Sequence, residues 1–160
     1  CEPCDAPVAF SATCEKSCTC HERSSGLEQT LAELEFSRSA CSAAQMGDVR
    51  RLEQLLGNDA NHCARDSTGY TPLHYAARSG HTECVALLLR HRACVDARTS
   101  GGATALHRAA FTGQSAICLM LLRARADAGA VDSDGHTPLH KAAAQQHEDT
   151  SRTLFAVRCT

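Results

Sequence analysis

Nine histidines and eleven cysteines in 160 residues are the side chains best able to hold a metal or move a proton. Five cysteines fall in the first twenty positions, as Cys1-Glu2-Pro3-Cys4, Cys14, Cys18 and Cys20, with His21 following. Zinc takes four thiolate or imidazole ligands in a tetrahedron, and a C-x2-C pair supplies two of them. Cys1, Cys4, Cys18 and His21 are one workable set, with Cys14 and Cys20 as substitutes. A second close pair is missing, and the plainer reading is a thiol-rich tail, so no metal site is assigned there. His74, His107 and His140 stand 33 residues apart. One per structural unit, and about 10 Å between packed helices, is too far for shared coordination. His136 and His140 are four apart, but Thr137-Pro138 starts a helix between them. Two histidines on one helix face with a glutamate base, as a zinc protease needs, are therefore absent.

Other chemistry is thinly supplied. The chain has no glycine-rich phosphate loop, no G-x-S-x-G elbow and no paired acids with a plausible pocket. The expectation is a protein that is not an enzyme and needs no cofactor. A net charge of −2 gives no basic patch for nucleic acid. No apolar run approaches the ~18 residues of a membrane span. An odd cysteine count and no signal-peptide pattern suggest free thiols in a reducing compartment, cytoplasm or nucleus. Cys84 and Cys118 fall in core columns of helices, whereas Cys63 and Cys94 fall in connecting loops and are the more reactive candidates.

The elements that position these residues follow from the same spacing. Gly69, Gly102 and Gly135 repeat every 33 residues, as do Thr71, Thr104 and Thr137, and Leu73, Leu106 and Leu139. The pairs Ala76–Ala77, Ala109–Ala110 and Ala142–Ala143 keep the step, and Ala43–Ala44 extends it backwards. Gly47, Gly80 and Gly113 form another column, which Gln146 interrupts. Within a unit the glycine turns the chain, threonine caps a helix, proline fits its first turn and the alanines allow close packing. A second helix follows, with an apolar face such as Val85 to Leu89. Neither helix can bury its face alone, so the units must stack. The predicted fold is an all-α solenoid of about four helix-turn-helix units with short β-hairpin loops. Its units are about 37–65, 66–98, 99–131 and 132–160, preceded by a tail over 1–25 and a capping helix over 27–36. With aromatics at 4% and no tryptophan, small residues must carry the packing.

Asp66 to His81, Gly101 to Ala110 and Asp132 to Ala143 resemble the ankyrin repeat, with Ala105 where the family has proline. The resemblance implies a module that binds another protein as a monomer, and a histidine in each unit that bonds backbone in the next hairpin. It also implies that a partner meets the variable positions of the concave side, on hairpin tips and first helices. Here those are Tyr70, Tyr75, Arg78, Arg108, Phe111, His136 and Lys141, with aromatic and arginine residues as the expected hot spots. A scaffold or adaptor is the expected role; the alternative adds a zinc-binding N-terminal segment. The first unit departs from the pattern, with Arg38-Ser39-Ala40-Cys41 where the others have Thr-(Pro or Ala)-Leu-His. In the fourth, Leu154, Phe155 and Val157 are expected to be partly exposed.

Overall fold

A computed structural model describes residues 39–57 and 63–158. The proposed tail, its cysteine and histidine set and the proposed capping helix lie outside the described residues. Among the described residues there are eight helices and no strands. They come in pairs: α1 (Ala40–Met46) with α2 (Val49–Leu56), α3 (Pro72–Ser79) with α4 (Thr82–Arg90), α5 (Ala105–Phe111) with α6 (Ser115–Arg123), and α7 (Pro138–Ala144) with α8 (Glu148–Arg158). First helices pack on first helices and second on second along the series. The result is an all-α repeat solenoid.

The alanine columns explain the close spacing. Ala43, Ala44, Ala76, Ala77, Ala109, Ala110 and Ala142 are buried, and so are Leu52, Leu56, Leu73, Leu88, Leu106, Ile117, Leu121 and Leu154. Side chains of one carbon let the first helices approach, and the leucines of the second helices close the core behind them. The loops expected to be β-hairpins are tight turns. In each, one residue donates to the carbonyl four positions on: Asp66 to Tyr70, Thr99 to Ala103 and Asp132 to His136. A single backbone bond joins successive tips, from Ser100 N–H to Thr68 O at 3.2 Å and from Ser133 N–H to Gly101 O at 3.0 Å. That is too little for a strand ladder.

The two buried imidazoles of the Thr-x-x-His column, His74 and His107, each make two kinds of bond. Nδ1 of His74 accepts from Thr71 N–H at 3.2 Å, and Nε2 lies 3.2 Å from Ala103 O in the next hairpin. His107 repeats this with Thr104 N–H and with His136 O at 3.0 Å. The Nε2–H tautomer satisfies both contacts. Burial pushes His74 down to about 4, with the bond to Ala103 opposing, and lowers His107 as well. The bond to the next hairpin is the one the resemblance implied.

The first unit substitutes rather than omits. Ser39, one position later than the threonine column, caps α1 by accepting from Ser42 N–H at 3.3 Å. Cys41 stands in the histidine column and directs its thiol at Tyr70 O, 4.0 Å away. At the other end, Gln146 takes the left-handed conformation of the glycine column at φ 59°. Leu154 is buried against expectation, whereas Phe155 is exposed as expected.

The cysteines divide by position. Cys41, Cys84 and Cys118 are buried thiols. Burial raises all three, Cys41 to about 11 and Cys118 to about 12. Cys63 and Cys94 form a disulfide with Cα atoms 5.9 Å apart. The expectation of free thiols throughout therefore fails for this pair. Both residues sit in loops that follow second helices, and stacking brings consecutive loops side by side.

Candidate functional site

The variable positions named from the sequence fall in three columns on the hairpin tips and first helices. Tyr70, Ala103 and His136 share the tip column; Tyr75, Arg108 and Lys141 share one helix column; Arg78, Phe111 and Ala144 share the next turn.

The helix column is anchored to the hairpins by carboxylates. Asp66 accepts at Oδ1 from Tyr70 N–H at 2.8 Å and from Thr68 N–H at 2.9 Å. At Oδ2 it accepts from the Tyr75 hydroxyl. Burial alone would raise its pKa, but the bonds from Tyr75, Thr68 and Tyr70 outweigh that and lower it. Asp132 does the same two hairpins further on. Its Oδ1 accepts from His136 N–H at 2.8 Å and Asp134 N–H at 3.0 Å, and its Oδ2 holds Lys141 Nζ at 2.9 Å. Burial again opposes, but Lys141 and these N–H groups hold the carboxyl near 2. Between them Thr99 occupies the same column, and its hydroxyl accepts from Ala103 N–H at 3.2 Å.

Arg108 thus has no hairpin carboxylate of its own. Its guanidinium carbon sits 4.9 Å over the Tyr70 ring, a cation–π contact. Tyr70 also lies against Tyr75 at 5.2 Å and His74 at 5.6 Å between ring centroids. Tyr70, Tyr75 and Arg108 are therefore one cluster. Arg108 also lines a hollow of about 220 Å³ with Phe111, Asp132, Ser133, Asp134 and Lys141. Its Nε–H is buried and has no protein acceptor. Phe111 is 46% exposed.

Two of the named residues stand apart. Arg78 is exposed and lines neither the cluster nor the hollow. His136 is exposed at its tip, its ring 6.2 Å from that of His140. Its carbonyl serves the stack by accepting from His107.

Asp132, Asp134 and His136 bring ligand atoms within 4.8 Å of one another. Asp132 is already committed to two backbone N–H groups and Lys141, so this is a hairpin held by its own carboxylate.

A further column escaped the sequence reading. His81 and His147 precede second helices and reach back to Gln45 O at 3.1 Å and Phe111 O at 3.2 Å. They pack under Gly47 and Gly113, where a Cβ would come within 2.7 Å or less of the ring. Their separation of 66 residues, with Gln114 midway, is the signal that could have found them.

Comparison with known proteins agrees with this architecture. The chain is 44% identical over 68 residues to ankyrin repeat domain-containing protein 39 of Homo sapiens, across 42% of this chain and 37% of that protein. It is 46% identical over 56 residues to the Bos taurus protein of the same name, covering 35% of this chain and 31% of that one. Against the 2-5A-dependent ribonuclease of Mus musculus it is 46% identical over 72 residues, 44% of this chain but 9% of that protein. The chain thus matches well under half the length of each. A family model of ankyrin repeats in three copies matches residues 40–132. The repeats are of a kind that binds other proteins, and the chain belongs to the ankyrin-repeat family.

Proposed function

We propose that this chain acts as a scaffold or adaptor that docks a protein partner on its concave side. The observation that carries this is the Tyr70–Arg108 stack beside the exposed Phe111. A large ring, a cation and an apolar side chain stand together on elements fixed by the core behind them. Rigid aromatic and arginine anchors dominate binding energy at protein interfaces because little side-chain freedom is lost on docking. Tyr75 and Lys141 support the surface through Asp66 and Asp132, while Arg78 and His136 extend it. Docking as a monomer in the cytoplasm or nucleus, where the Cys63–Cys94 link would be reduced, completes the reading.

The test is capture of partners from cell extract with the native chain and with a Tyr70→Ala, Arg108→Ala, Phe111→Ala triple variant of unchanged helicity. Loss of the principal partners from the variant is expected. An identical partner set would sink the choice of surface.

A further inference from the structure

We infer that the hollow beside Arg108 receives a carboxylate side chain, aspartate or glutamate, from the docked protein. The inference rests on the docking reading above and names the chemistry of its partner. Three units present a residue in the same helix column, and two of these reach a hairpin aspartate. Tyr75 bonds Asp66, and Lys141 pairs with Asp132. In the third unit the aspartate column holds Thr99, and the helix column holds Arg108. The carboxylate is missing where the strongest cation stands. Among the described residues Arg108 has no acid within ion-pair distance, and since its Nε–H is closed to solvent, the outer guanidinium nitrogens are the ones a docked group would meet. A guanidinium is a planar fork matched to a carboxylate, and the Tyr70 ring beneath it limits its freedom before binding.

The local charge decides between kinds of anion. Lys141 is held at 2.9 Å by Asp132 and lies 3.8 Å from Asp134. The two aspartates of the hollow thus face Lys141, Arg108 is the cation there that no acid engages, and a carboxylate adds one negative charge. A phosphate group, at about −1.5 to −2, would exceed it beside the Asp134 side chain, which is 68% exposed. Phe111 at the wall suits an apolar neighbour of the acidic residue.

The test uses the full chain and a phage-displayed library of random dodecapeptides. Enriched peptides are expected to share Asp or Glu at one aligned position. Changing that residue to Asn or Gln is expected to weaken binding about tenfold on the native chain, and little on Arg108→Gln. Thr99→Asp supplies the missing carboxylate from within, so it is expected to weaken the acidic peptides while leaving the urea midpoint unchanged or higher. Arg108→Gln keeps the conclusion testable if Thr99→Asp disturbs the hairpin. Binders that ignore the acid but are lost with Tyr70→Ala or Phe111→Ala would overturn the carboxylate and leave the docking face standing. Binders indifferent to every one of these substitutions, or no binders at all, would overturn both. Tighter binding by a phosphoserine version of the peptide would overturn the choice of anion.

Discussion

His107 and His140 belong to the same column and differ in what lies beyond them. His107 is buried and its Nε2 meets His136 O at 3.0 Å. His140 is exposed, though it keeps the local bond from Thr137 N–H at 3.1 Å. The glycines repeat the contrast. A Cβ on Gly102 would lie 3.1 Å from Ser133 N, whereas one on Gly135 would meet nothing within 4 Å. The local half of each unit forms regardless of a neighbour, and the other half is defined by the neighbour. Residue type alone therefore does not say how much a position stabilises the fold.

The largest expected effect breaks this contrast at the histidines. His74→Ala and His107→Ala each remove a buried ring and its two bonds, at a cost of about 3 kcal/mol; His140→Ala costs under about 1 kcal/mol. Urea unfolding checks this, and equal losses at all three would refute it. Acid probes the same ring. The unfolded chain protonates His74 near its ordinary 6.5, and the folded chain only near 4. The unfolded state therefore binds the extra proton between those values. Stability present above pH 6.5 is lost as pH falls through that window, by up to about 3 kcal/mol. Thermal melts of His74→Gln should show a shallower loss over the same range.

A smaller effect is expected at the first junction, where a thiol contact replaces the imidazole bond and the Cys63–Cys94 bond adds a covalent tie. Opening a link across 31 residues should cost about 2 to 3 kcal/mol. Cys63→Ser and added dithiothreitol should lower the melting temperature alike and not additively. An additive loss would mean the reductant acts elsewhere. Next come the glycines, both left-handed, at φ 70° and 75°. Gly135→Ala should cost about 1 kcal/mol for backbone strain alone. Gly102→Ala should cost about 2 kcal/mol, because the Cβ also meets backbone; a reversed order would disprove that accounting. Smallest of all, Phe155→Ala at 62% exposure should change stability by less than about 0.5 kcal/mol.

Much of this was legible from spacing. The 33-residue columns predicted the pairs of helices, the caps at Thr71, Thr104 and Thr137, and the alanine contacts, because each column does one local job. Features off the ladder were not. Cys63 and Cys94 are 31 apart, so no column joins them, and only the stacking of loops brings them together. Arg92 and Arg125 do share a column, but their left-handed backbone, at φ 57° and 66°, is not a conformation that arginine marks. For the docking face, the sequence marked Tyr70, Tyr75, Arg108, Phe111 and Lys141 as variable. It did not show that Asp66 and Asp132 engage two of them, because that needs the hairpin folded over the helix.

The two-sided histidine also bears on how such a chain assembles. Its Nδ1 bond spans three residues, and its Nε2 bond spans 29. Side-chain bonds between units span 29 to 36 residues wherever they occur along the described chain. The entropy of closing each junction is then nearly constant, however many units precede it. A capped hairpin and helix can form first with its ring already aimed, and then add to a finished neighbour. Folding becomes a zipper of equal steps, its rate set by the hardest single junction rather than by the length of the chain.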